Sequence, residues 1–233
     1  PCGLAAAYTD IRPILPGHCV VAPTRRVATL AELTAAELTA LFDTVHEVQE
    51  LHGTRATAHN LAVLDGAAAG QPAVLPHAHV HVVQRVTGDL ANNDEIYSMI
   101  DCWAPEGPDN TPPPMYMPSD EERKPRTAEV MAEEARRYAS LAGPSATPLP
   151  TGSFSFSPKI QLDASQLFFS SSLCVAAVNL KPLCPGHVLV IPKRCVPFLR
   201  DLTRDEQRDL WRSVVDVQKI VGRCHDCLLY TSP

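Results

Sequence analysis

Three histidines at alternate positions define the chemistry this sequence can do. Val74–Gln84 reads V-L-P-H-A-H-V-H-V-V-Q, so His77, His79 and His81 are separated by Ala78 and Val80. Residues two apart on an extended strand share a face. The imidazoles are therefore expected along one side, with Ala78, Val80 and Val82 packed behind. The chain has nine histidines, and three fall within five positions. Such a row admits three readings. Neutral imidazoles bind zinc and its neighbours. A neutral imidazole also attacks phosphorus and splits one hard displacement into two easier ones. Its neighbours then orient it and assist the leaving group. The third reading is a solvated or core-satisfied face, although buried imidazoles are costly without partners. No cysteine pair or acidic ligand stands at obvious metal-site spacing beside the row.

The elements that must position these residues follow from an internal repeat. Shifted by 169 positions, Leu4–Gly53 matches Leu173–Gly222 without a gap, with 19 of 50 residues identical. One domain type is used twice. In each copy Leu4–Tyr8 and Leu173–Val178 read as strands. The turns Pro16-Gly17 and Pro185-Gly186 lead into Cys19–Ala22 and Val188–Ile191, short apolar runs suited to buried strands. Thr34 and Thr203 each have a glutamate three residues on, the pattern of a capping box. The helices that follow run to about Glu50 and Lys219. Phe154–Phe169 suggests one or two further strands, and one reading has it covering a sheet edge of the first copy. Thr127–Leu141 has helical spacing, with Val130, Met131, Ala135, Tyr138 and Leu141 in its apolar set.

The copies are complementary in extent. The first has nothing before Pro1 to match Phe154–Phe169, and only the first continues into the histidine row. The expected domains are residues 1–142, a linker at 143–152, and residues 153–226 as the N-terminal half of a second copy. The tail Cys227–Pro233 resembles a translated sequencing adapter. Half of the 22 prolines lie between Pro105 and Pro158. Proline disfavours helix around itself, so 104–126 reads as an extended loop.

Composition narrows the class. Charged residues are 20%, the net charge is -6, and no basic face is expected for a nucleic-acid backbone. No apolar run approaches a membrane span. Eight irregularly spaced cysteines do not make a disulfide framework, which favours a reducing, intracellular and cytoplasmic setting.

The motifs around the histidine row resemble a known family. H-A-H-V-H-V-V is similar to the motif of the histidine triad superfamily. Asp65-Gly66 through Gly70-Gln71 resembles the D-G-x-x-A-G-Q of its fragile histidine triad branch, the dinucleoside polyphosphate hydrolases. Pro13, Pro16-Gly17-His18 and Pro23 resemble that branch's K-P-x-x-P-G-H-x-L-x-x-P. Arg85, Gly88-Asp89 and Asn93-Asp94 with Ile96-Tyr97 resemble its R-x-x-G-D and N-D-x-I-Y. The resemblance implies an α+β histidine-triad fold, an antiparallel sheet with a packed long helix. Two tandem copies could pair as a pseudo-dimer in place of a homodimer.

The roles it implies are these. His79 is the nucleophile toward the α-phosphate, flanked by His77 and His81. Gln71 lies near the scissile phosphate, although the gap from Gln71 to His77 is two residues longer than usual. His18 is the fourth histidine. Asp10 takes the place of a ribose-contacting asparagine, which the second copy keeps as Asn179 beside His187. Gly17 is read as a turn residue. His46, His52 and His59 are read as ordinary surface or helix positions, and Tyr97 as packing. No cofactor is required, and no metal is held by protein residues. A divalent cation is expected with the polyphosphate. The partner is a nucleotide, with no nucleic acid and no membrane.

Overall fold

In the computed structural model the described residues are 3–66, 69, 71, 75–103, 121–143 and 147–225. The tail at 227–233 and most of the proline-rich loop lie outside them. The chain divides into two compact units, Pro1–Tyr116 and Met117–Pro233.

The first unit holds strands β1 (Ala5–Thr9) and β2 (Cys19–Pro23), helix α1 (Ala35–His52), strands β3 (Ala58–Ala62) and β4 (Val80–Arg85), and the short helix α2 (Glu95–Asp101). The strands form one antiparallel sheet in the order β1-β2-β4-β3. Helix α1 packs on β1, β2 and β4 through Leu38, Leu41, Phe42, Val45 and Val48, all buried. The expected capping box starts it. Thr34 Oγ1 accepts from Glu37 N–H, and Glu37 accepts from Thr34 N–H at 2.8 Å. Glu37 also takes the Arg25 guanidinium on both oxygens, at 2.7 and 2.8 Å. That hydrogen bonding, Arg25 first and then Thr34, holds its pKa down at about 2. Alternation on β4 sends Val83 to the face covered by α2, where it packs with Ile96 and Ile100.

The second unit holds α3 (Ala128–Ala139), a hairpin of β5 (Ser153–Ser157) and β6 (Ile160–Asp163), an antiparallel sheet of β7 (Leu167–Ser170), β8 (Cys174–Val178) and β9 (Val188–Pro192), and α4 (Arg204–His225). The repeat reproduces the first unit's cap: Thr203 N–H donates to Glu206 at 2.7 Å, and Arg194 holds both Glu206 oxygens. The sheet is buried on both faces. Leu167, Val175, Ala177 and Ile191 form one cluster with Phe154 and Leu162. Phe168, Phe169, Ala176 and Val178 face α4 and α3 on the other. The register shift between Leu167 and Phe169 lets two adjacent phenylalanines enter the same cluster.

Three expectations change. Phe154–Phe169 supplies three strands, and among the described residues β5 pairs only with β6, and β7 only with β8. Every strand pairing it makes among the described residues is inside the second unit, and none is the expected pairing with the first copy. Helix α4 runs to His225 rather than stopping near Lys219, because Ile220, Val221 and Cys224 continue its buried stripe. The helix at 128–139 was expected to end the first copy at 142. It instead packs inside the second unit, with Met131, Ala135 and Tyr138 against Phe168, Val217 and Val221. Tyr138 is fully buried. Its hydroxyl meets Glu134 Oε1 at 3.1 Å and His225 Nε2 at 2.7 Å.

Candidate active site

The first unit gathers the histidines at the N-terminal end of β4. Only His81 lies on the strand, opposite Val20 of β2 and Ala62 of β3. His77, at a bend, and His79 lie in the segment that leads into it. As expected, Ala78, Val80 and Val82 are fully buried. His18 arrives from the turn before β2. Gly17 sits there at φ 83°, and a Cβ in its place would lie 2.9 Å from Gln84 Oε1, so both backbone and space require glycine.

A directed chain of hydrogen bonds fixes the rings. His79 Nδ1 lies 2.7 Å from the His77 carbonyl, which can only accept, so Nδ1 carries the proton. In neutral His79 the lone pair is therefore on Nε2. That nitrogen lies 3.2 Å from His81 Nε2, and His81 Nδ1 lies 3.1 Å from His18 Nε2. One assignment satisfies every contact: His18 Nε2–H donates to His81, and His81 Nε2–H donates to His79. His18 Nδ1 then accepts from Ile14 N–H at 3.3 Å.

All three rings are buried, and burial is the first cause of their lowered pKa values. For His81 the value falls to about 3, pushed further by His79 and His18. For His79, burial outweighs the raising effects of the His77 carbonyl and Asp10. The arrangement thus holds an uncharged imidazole with one defined nucleophilic nitrogen, backed by an imidazole N–H.

His77 departs from the expected common row. Its ring sits between backbone groups: Nε2–H donates to the Pro23 carbonyl at 2.9 Å, and Nδ1 accepts from Val27 N–H at 3.3 Å. Its carbonyl, rather than its ring, meets His79. Gln71 is buried and donates to the Ala28 carbonyl at 2.9 Å; none of its hydrogen bonds among the described residues reaches an imidazole. Asp10 lies beside His18, 3.5 Å from Nδ1. In the second unit, Asn179 Nδ2 and His187 Nε2 are 3.1 Å apart. Among the described residues no group of three His, Cys, Asp or Glu is placed to hold a metal ion.

The flanking motifs resolve into supports. Arg85 makes a paired contact with Asp89 at 2.8 Å, and reaches Asn60 at 2.7 Å and Asn93 at 3.0 Å. These bonds tie β3, β4 and the approach to α2 together. Asp65 Oδ1 accepts from Leu30 N–H at 2.7 Å at the start of a 3-10 turn.

Trp103 was not anticipated. Its indole is buried, with its centroid 4.7 Å from His81, 5.4 Å from His79 and 6.2 Å from His18. The spacing Ile96, Ile100, Trp103 is a helical stripe that would have revealed it. The other histidines are less exposed than expected. His46 is buried with Glu50 at 3.3 Å, and the His52 and His59 rings stack with nitrogens 3.0 Å apart. Tyr97 is about half exposed and is not a core residue.

Comparison with known proteins identifies the family. The family model described as HIT domain matches residues 3–88 and 162–227, together more than half of the chain. The bis(5'-nucleosyl)-tetraphosphatase [asymmetrical] of Schizosaccharomyces pombe is 40% identical over 152 residues, covering 57% of this chain and 81% of that protein. The bifunctional bis(5'-adenosyl)-triphosphatase/adenylylsulfatase FHIT of Arabidopsis thaliana is 36% identical over 140 residues, covering 59% and 73%. A crystal structure of the C. elegans NitFhit protein aligns at 30% identity with 43% of this chain and 24% of that one, TM-score 0.36. With the domain matched twice and the histidine row in its first copy, the chain belongs to the HIT domain family, on its fragile histidine triad branch.

Proposed function

We propose that this protein hydrolyses dinucleoside polyphosphates, such as diadenosine triphosphate, to a nucleoside monophosphate and the remaining nucleotide. The observation that carries this is the fixed tautomer of His79, with Nδ1 held on the His77 carbonyl and Nε2 left as nucleophile. Nε2 attacks the α-phosphorus and forms a nucleotidyl-histidine, which water then opens. His81 donates its N–H to that nitrogen and, as phosphorus approaches, to a phosphate oxygen. His18 holds His81. Gln71 acts through the backbone: it braces Ala28, next to Val27, whose N–H donates to the His77 ring. No cofactor or protein-held metal enters this reading; a divalent cation arrives with the polyphosphate.

Cleavage of diadenosine triphosphate in H2(18)O tests it. The label is expected in AMP alone, with chelator-treated protein returned to magnesium keeping its rate. Label in ADP, or a rate that only zinc restores, would overturn the reading.

The acid side of the pH profile follows from His79. Burial lowers its pKa below the ordinary 6.5, so the nucleophile stays uncharged further into acid. The acid limb of kcat/KM is expected below pH 6.5, with activity falling as His79 takes up a proton. A midpoint well above 6.5 would contradict the assignment.

We also propose that the protein works as a pair, either as a homodimer or with its two domain copies paired in one chain; light scattering separates these. An intracellular, cytoplasmic setting is proposed from its cysteines, six of which are free among the described residues. None of its described helices is long and apolar enough to cross a membrane.

A further inference from the structure

The nucleophile has no open side in this structure. His79, His81 and His18 are 1%, 0% and 2% exposed. Attack requires phosphorus within about 3.5 Å of His79 Nε2, with its oxygens around it. A ring with no room for a water molecule against it has none for a phosphate. Among the described residues Trp103 is, besides the imidazoles themselves, the aromatic ring that meets all three. It stands edge-on to His81 and His18, at 80° and 81°, and tilts at 52° to His79. The indole is itself only 6% exposed. Its Nε1–H is buried and has no hydrogen-bond partner. Asp10 Oδ2, beside His18, is buried without a partner as well. A tryptophan serving only as core would place its N–H on an acceptor, as Tyr138 places its hydroxyl on Glu134. A stranded donor is instead stabilised when water or a ligand oxygen reaches it.

We propose that Trp103 is a plug over the catalytic imidazoles, and that the polyphosphate displaces it when substrate binds. The inference rests on the hydrolase reading above. The space the indole leaves borders His79 Nε2 and the His81 ring, so the phosphate takes the place of the indole. The anchor and the plug are separable. Ile96 and Ile100 fix α2 against Val83. Trp103 comes after the last turn of that helix, where Cys102 N–H donates to the Ser98 carbonyl and Trp103 N–H to that of Ile100. Rotation of the indole, or fraying of this turn, uncovers the imidazoles and leaves the helix in place. The open form is then a minor state, populated at about 0.1–10%. The reactivity of His79 toward anything outside is scaled down by that fraction.

The first test reads access to His79 without turnover. Diethyl pyrocarbonate acylates uncharged imidazoles, and tandem mass spectrometry of the labelled full-length protein locates the modified ring. Trp103→Ala is expected to raise the rate at His79 about tenfold or more, as the minor open state becomes the major one. His46, buried on α1 with Glu50, is the gauge of unfolding. Acceleration at His79 with His46 unchanged supports the plug. An unchanged rate at His79 overturns it. If both rings accelerate together the variant has unfolded, and the second measurement decides.

That measurement keeps the indole in place. The chain has two tryptophans, so in Trp211→Phe the emission comes from Trp103 alone. Saturation with the α,β-methylene analogue of diadenosine triphosphate is expected to shift the emission to longer wavelength. Quenching by acrylamide is expected to strengthen with it, because the indole leaves a buried site for water. Emission and quenching that stay unchanged while equilibrium dialysis shows the analogue bound would overturn the plug. If Trp103→Ala uncovers His79 to the reagent but the analogue does not bind and diadenosine triphosphate is not cleaved, the hydrolase reading fails while the plug stands.

Discussion

Replacing His79 with asparagine is expected to abolish turnover while leaving the first unit folded. The asparagine amide can still donate to the His77 carbonyl, as Nδ1 now does at 2.7 Å. The neighbouring imidazoles therefore lose little support. What disappears is the nucleophilic Nε2, and no other described group can replace it: the His81 Nε2 carries the donated proton, and the His77 ring is held by the Pro23 carbonyl and the Val27 N–H. Removing a covalent nucleophile costs a factor of about 10^3 or more in kcat. AMP release from diadenosine triphosphate measures the loss, and wild type quenched in alkali, where a phosphoramidate bond survives, should retain labelled AMP on histidine. Activity within tenfold of wild type, with the variant folded, would exclude His79 as the attacking group.

Truncating Tyr138 to alanine should damage a different part of the molecule. Tyr138 is 0% exposed and packs on Phe168, with ring centroids 5.0 Å apart. It joins α3 to the β7-β8 face and to α4 through Val217 and Val221. The change leaves a cavity and strips a partner from Glu134 and His225. Loss of a buried aromatic costs about 3–5 kcal/mol. That loss is expected in the second unit, followed through Trp211, while the triad in the first unit keeps its activity. The double variant Tyr138→Ala with Trp103→Phe removes the only other tryptophan and makes the signal unambiguous. Equal destabilisation of both units would mean that α3 supports the first copy, as its place in the sequence suggested.

The two outcomes divide along what local pattern can encode. Thr34–Glu37 and Thr203–Glu206 were legible as helix starts because a capping box is complete within four residues. The alternation of Ala78, Val80 and Val82 with histidines was legible because strand geometry repeats every two residues. β3 and α2 were not anticipated. β3 has five residues, all half-buried, and α2 has seven, too few for either period to stand out. Asp89 was legible as part of a motif. Its role was not, because the guanidinium it holds also reaches Asn60 and Asn93 from two other segments.

By itself the sequence determined the repeat, the element types around it, the histidine row and the family to which these belong. Those signals lie within short windows or in one long self-match. Only the tertiary structure decided which side chains meet across the gaps. His18 and His81 are 63 residues apart, and the bond between their rings turns a row of histidines into a directed chain. Trp103 reaches that chain because α2 covers the face of β4 that carries Val83. Asp10 meets His18 through the unpartnered oxygen left when Arg12 N–H takes the other. Helix α3 packs where Tyr138 finds a core to bury it, whichever copy it follows in sequence. Burial and hydrogen-bond pairing are settled by partners distant in the chain, and no local window contains them.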